Sequence, residues 1–204
     1  MTLSTPLEDL IAPDKAQVLT VLHRAGQPLS GRTIAALTGT VSQSTTSRLL
    51  SDLVRRGLVD KVPGGYELNR DHLSYRAIEA LVDVRAELGR RVMHDVAGWR
   101  HPPQAVIMFG SSARHEETLD SDIDLLVVRP TAVAFDDPDW AMNVADLSLN
   151  VGRWCGAPCQ VLEYTRDELI DLNRAGDPLI ASLVRDGVVL TGIRLDELLV
   201  TSGR

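Results

Sequence analysis

The chain has 204 residues, room for one large domain or two small ones, with 44% hydrophobic and 24% charged residues, an ordinary globular composition. No apolar run reaches the roughly 20 residues needed to cross a bilayer. Residues 1–13 carry Glu8 and Asp9 rather than a basic flank and an apolar stretch, so no membrane span or signal peptide is expected and the expected compartment is the cytoplasm. The net charge of −7 is uneven: residues 1–100 balance at +2, residues 24–70 at +4 and residues 101–204 at −9. A mildly basic module joined to an acidic one suits a DNA-contacting domain beside a metal-using one. Cys155 and Cys159 have no histidine at ligand spacing, which excludes a four-ligand zinc site and leaves two ordinary thiols.

In chain order, residues 14–24 carry an apolar face of Val18, Leu19, Val21 and Leu22 at helical spacing, stopped by Ala25-Gly26-Gln27-Pro28. A short helix follows over about 31–37 with Ser30 as N-cap, then a turn at Thr38-Gly39-Thr40. A third helix is capped by Ser42 and runs to about Arg56, burying Val41, Leu49, Leu50, Leu53 and Val54, with Gly57 in the C′ position. Residues 58–62 and 66–69 are β-formers flanking Pro63-Gly64-Gly65, which reads as a hairpin. Three helices and a hairpin is the winged-helix order.

A single long helix is expected over 72–99, from Ile78, Leu81, Val82, Leu88, Val92 and Val96, broken by Arg100-His101-Pro102-Pro103. Beyond it the pattern alternates: strands at 105–109, 123–128, 158–164 and 188–190, and helices at 138–155, 166–173 and 178–185. This predicts a mixed sheet with helices packed on it. Trp99, Trp140 and Trp154 fall on apolar helical faces and read as core or interface.

The chemistry concentrates in Phe109-Gly110-Ser111-Ser112-Ala113-Arg114 and Asp120-Ser121-Asp122-Ile123-Asp124. An apolar strand running into Gly-Ser-Ser and a helical turn offers backbone amides and hydroxyls to a phosphate. Asp122 and Asp124, two apart at a strand start, share a face, and a divalent cation offsets their repulsion. Arg114 is placed to neutralise a triphosphate or to pair with Glu116 or Glu117.

Gly110-Ser111, ten residues, Asp122, one residue, Asp124 resembles the signature of the polymerase-β-like nucleotidyltransferases, above all the minimal ones, over residues 104–192. The resemblance implies that Gly110 and Ser111 hold the phosphates of a nucleoside triphosphate and that Asp122 and Asp124 hold magnesium; the Ser112 hydroxyl and Arg114, beside the cradle, complete the nucleotide-binding set on chemistry alone. It implies transfer of a nucleoside monophosphate to a hydroxyl with release of pyrophosphate. Two positions depart from the family pattern: His115 stands where the family has glycine, and Gln160 stands where a later strand should carry a third carboxylate. Glutamine can coordinate through its carbonyl but cannot act as a base. Glu163 lies three residues on, facing the other way unless a bulge turns it, and Asp146 lies in a helix; a register slip of one or two residues is the other explanation.

Residues 14–72 resemble winged-helix regulators, in an architecture that places such a domain before a minimal nucleotidyltransferase. The start of the third helix, Ser42, Gln43, Ser44, Thr45, Thr46, Ser47 and Arg48, is then the part that meets base edges of double-stranded DNA. Gln43 suits adenine and Arg48 guanine or phosphate, with Arg32, Arg55, Arg56 and Lys61 near the backbone. The alternative is a winged helix used for protein contact alone, and the long helix is a candidate for homodimerisation.

The expected fold is α+β: a winged helix over 1–71, a linking helix over 72–103, a mixed-sheet nucleotidyltransferase (polymerase-β-like) fold over 104–192 and a C-terminal tail over 193–204. Two functions stay open. One is a magnesium-dependent nucleotidyltransferase with a DNA-binding module. The other is a DNA-binding transcriptional regulator whose transferase-like domain binds nucleotide and turns over weakly or not at all.

Overall fold

The computed structural model describes residues 3, 5–114, 116, 118 and 121–200, which fall into two compact units, one of residues 5–84 and one of residues 85 onward with Leu3. The first unit starts with α1 (Pro13–Arg24), which has proline in its first turn and His23 and Arg24 in its last. In α2 (Gly31–Thr38) and α3 (Gln43–Arg55) the N-caps are Ser30 and Ser42, whose hydroxyls accept the amides of Thr33 at 3.1 Å and Thr45 at 3.2 Å. Strands β1 (Val59–Val62) and β2 (Gly65–Leu68) form the antiparallel wing.

The wing is tied to the helices by a bridge between Leu29 and Tyr66, with reciprocal amide–carbonyl bonds of 3.0 and 2.9 Å. That approach explains Gly65: a Cβ there would lie 2.1 Å from the Leu29 carbonyl oxygen. Leu19, Leu22, Ile34, Leu50, Leu53 and Val59 form the centre of a core that Tyr75, Ile78 and Val82 of α4 (Tyr75–Val82) complete.

The single helix expected over 72–99 is two helices. α4 ends at Asp83 (φ −100°, ψ 26°), and α5 (Val84–Ala97) starts afresh. Val82-Asp83-Val84 sets two β-branched residues about an aspartate, all poor helix formers. The Asp83 carboxylate sits 3.3 Å from Nε2 of His23 on α1.

In the second unit β3 (Ala105–Phe109) runs into α6 (Gly110–Arg114), and β4 (Ile123–Arg129) leads through α7 (Pro138–Cys155) to β5 (Cys159–Thr165). Then come α8 (Arg166–Ala175), α9 (Pro178–Asp186), β6 (Val188–Gly192) and α10 (Leu195–Leu199). The sheet order is β5-β4-β3-β6, with β3 antiparallel to both neighbours and β4 parallel to β5. A parallel pair needs a crossover, and α7 supplies it.

One face of the sheet, with Ala105, Ile107, Leu126 and Val128, packs against Leu169, Ile180, Leu183 and Leu198 from α8, α9 and α10. The segment expected to be a tail therefore contributes to the core through Leu198, and Arg166 anchors it by donating to the carbonyls of Glu197, Leu198 and Val200. Val106, Met108, Leu125 and Val127, equally buried, alternate to the other face. There Trp140 of α7 stacks edge-on against Trp99 at 5.3 Å and donates its indole N–H to Glu163. Cys155 is buried and Cys159 half-buried, both as thiols, and burial pushes Cys159 up to about 12. Among the described residues no helix is long and apolar enough to cross a membrane.

Candidate functional site

The strand register assembles the site. Phe109 pairs with Asp124 across β3 and β4, so the chain leaves β3 directly opposite that carboxylate. Gly110 makes the turn at φ +72°, and a Cβ there would fall 2.1 Å from Asp124 Oδ2. Glycine is needed twice over, for the left-handed backbone and for the space the carboxylate fills. Ser111 follows at the start of α6, half-exposed, its carbonyl accepting the Glu116 amide at 3.0 Å. Ser112 is fully buried, and its hydroxyl reaches the Asp122 carbonyl oxygen at 3.5 Å. Expected phosphate-binding and acidic residues, 10 positions apart in the chain, thus meet.

Asp122 stands immediately before β4 and Asp124 within it, either side of buried Ile123. Burial pushes the Asp124 carboxyl above the usual carboxylate range, the Asp122 charge adds to the rise, and Arg114 opposes it. Arg114 itself is held by Glu116 at 2.7 Å, the surface ion pair that the sequence offered as one of its two roles. Thr118 and Ser121 close the intervening loop, through Thr118 N to Ser121 Oγ at 2.9 Å and Ser121 N to Thr118 O at 3.1 Å. His115, Glu117 and Asp120 lie outside the described residues.

On the other side of Asp124 the partner is Gln160. Pairing runs without interruption from Ile123↔Cys159 through Asp124↔Gln160 to Arg129↔Thr165, so no bulge turns another residue into that place. In a parallel pair in register the two side chains share a face. Glu163, opposite Val127, has the other facing and is fixed there by Trp140 Nε1 at 2.5 Å. Asp146 lies exposed on α7. The row across the sheet is therefore Phe109, Asp124, Gln160, with one carboxylate in it.

Among the described residues no group of three or more His, Cys, Asp or Glu gathers as a metal cage. A pair of carboxylates suits magnesium, which commonly takes one or two and completes its shell with water and substrate phosphate. The repulsion between the Asp122 and Asp124 carboxylates, which adds to the rise that burial imposes on Asp124, is what a cation there would offset.

One residue of the site escaped the sequence reading. Arg85, in the first turn of α5, donates from Nη2 to the carbonyl of Ser112. Its partner is 27 residues away, and no local pattern marks it.

In the first unit Ser42, Gln43, Ser44, Ser47 and Arg48 are exposed at the start of α3, and Thr45 is half-buried. Thr46 is a correction to the DNA-facing set: it is wholly buried and its side chain reaches no surface, because it sits one turn before Leu50 on the core face. Arg55 and Arg56 both grip Asp52, at 2.7 and 2.9 Å, and Lys15 joins at 3.6 Å. Arg32, Arg48 and Lys61 are exposed and have no ion-pair partner among the described residues.

The MarR family model matches residues 9–65 and the nucleotidyltransferase domain model residues 93–170. The chain joins a MarR-family winged helix to a nucleotidyltransferase domain. The nucleotidyltransferase match takes in Gly110, Asp122, Asp124 and Gln160 together. No curated protein matches. Among solved structures, a toxin–antitoxin with AMP-PNP is 17% identical, over 56% of this chain and 80% of that one, with a TM-score of 0.38. A mutant of the toxin–antitoxin MntA-HpeT is 15% identical, over 54% and 80%, with the same TM-score of 0.38.

Proposed function

We propose that this protein is a DNA-binding regulator whose nucleotidyltransferase domain binds a magnesium–nucleoside triphosphate and transfers its nucleotide weakly or not at all. The observation that carries this reading is the register pairing of Asp124 with Gln160, beside an otherwise complete constellation of Gly110, Ser111, Asp122 and Asp124. Gly110 and the Ser111 and Ser112 amides receive the phosphates, with Arg114 exchanging Glu116 for a phosphate oxygen. Asp122 and Asp124 would hold magnesium, which when bound neutralises phosphate charge. An acceptor hydroxyl at this sheet edge meets an amide in Gln160, which has no affinity for its proton. DNA meets Ser42, Gln43, Ser44, Ser47 and Arg48, with Arg32 and Lys61 free for phosphates and Arg55 and Arg56 shared with Asp52.

The second reading is a working transferase that moves a nucleoside monophosphate to a hydroxyl without a third carboxylate; the intact Gly110–Asp124 contact favours it. Calorimetry with each nucleoside triphosphate and magnesium tests the donor site. Binding by the native chain and none by Asp122→Ala/Asp124→Ala is expected, and no binding to any triphosphate would sink both readings. Gln160→Asp separates them: gain of self- or acceptor-labelling from a radiolabelled triphosphate supports the regulator, and efficient labelling by the native chain supports the enzyme. For DNA, Arg48→Ala should weaken binding and flatten its salt dependence by about one charge.

A further inference from the structure

We infer that Arg85 is a positioning residue for the nucleotide site, holding the phosphate cradle in place from behind through the backbone of Ser112. The inference rests on the nucleotide-binding reading above. The helix α6 has only five residues, so its last carbonyls have no partner within it. Arg85 supplies one, from the half-buried first turn of α5. Ser112 is the residue where this matters. Its side chain is fully buried and turned to the Asp122 carbonyl, so one residue links Arg85 on one side to the acidic loop on the other.

Holding the Ser112 carbonyl fixes the peptide plane it shares with Ala113, and with it the backbone of Ser112, whose hydroxyl reaches the Asp122 carbonyl. A cradle and an acidic pair borne on different strands need such a common brace, because phosphate and cation must be met in one geometry. A guanidinium does this better than an ammonium: its planar fork is preorganised, and its charge persists at every working pH. Arg85 brings positive charge to the back of the cradle while its Nη2 is engaged by the Ser112 carbonyl.

The test compares native protein, Arg85→Ala and Arg85→Lys with two readouts on the full chain. The first is calorimetric affinity for magnesium–triphosphate. Arg85→Ala should lose about 10- to 100-fold, the scale on which supporting partners of a ligand site act, and Arg85→Lys should recover part of it. The second is amide hydrogen exchange without nucleotide. Arg85→Ala should speed exchange at Glu116, Thr118 and Ser121, whose amides are hydrogen-bonded in the loop after Ser112, and leave β5 unchanged. Unchanged affinity in a protein that otherwise binds nucleotide overturns the inference and spares the functional reading. If the native protein binds no triphosphate, the functional reading falls, and the exchange data decide whether Arg85 braces the loop. Protection lost evenly over the whole unit, or not at all, overturns the brace as well.

Discussion

At the scale of single residues the site turns on what lies within ångströms of Asp124. Gly110 is the tightest constraint, since any Cβ collides with the carboxylate and the φ of +72° is itself disfavoured for other residues. Gly110→Ala should cost about 1–3 kcal/mol from the backbone alone and displace the Asp124 carboxylate. Urea denaturation and magnesium–triphosphate calorimetry check both parts. Native stability with native affinity would show that the turn tolerates a side chain. Gln160 and Glu163 make a contrasting pair. Their facings differ by strand alternation, and Trp140 makes the difference permanent by engaging Glu163.

At the scale of elements, α3 carries both packing and the candidate DNA surface. Thr46, Leu50 and Leu53 face the core, while Ser42, Gln43, Ser44, Ser47 and Arg48 face out. Asp52 lies between the two roles, with Arg56, Arg55 and Lys15 around it, and the hydrogen bonds from the two arginines hold its carboxyl down at about 2. A carboxylate depressed in the folded state stabilises it above the unfolded value of 3.8, and that contribution disappears as pH falls towards 2. Acid denaturation of the native chain should therefore contain a component between those limits that Asp52→Asn lacks. The Asp52 carboxyl resonance should titrate near 2 in the native chain. Superimposable acid limbs for the two proteins would show that the ion pairs add nothing.

At the scale of the whole molecule, two separate cores account for the two units. One is centred on Leu19, Ile34, Leu50 and Leu53, the other on Ile107, Leu126, Leu169 and Leu183, and neither cluster borrows a residue from the other unit. Each half should therefore fold by itself. Chains spanning Thr5–Val84 and starting at Arg85 are expected to show cooperative thermal unfolding by circular dichroism. A half that stays unfolded would show that its core depends on the rest of the chain. The two halves also allow the proposed DNA and nucleotide binding to be tested apart.

The sequence by itself determined whatever short-range rules govern. Caps at Ser30 and Ser42, the Gly-Gly wing, the apolar β3 and β4 and the Gly110-Ser111/Asp122/Asp124 spacing are local patterns, and the structure places the corresponding elements there. It missed the break at Asp83, where local conformation competed with a helical period that continues on both sides. It missed the burial of Thr46, because one polar residue on a core face looks like its polar neighbours until the opposing helix is known. It missed α10 too, as five residues carry too little period to read. Only tertiary structure decided that Gln160 is the register partner of Asp124, that Trp140 holds Glu163 on the far face, and that Arg85 reaches Ser112. Register and contacts across 23 to 36 residues depend on how strands pair and helices pack, and no local propensity encodes them.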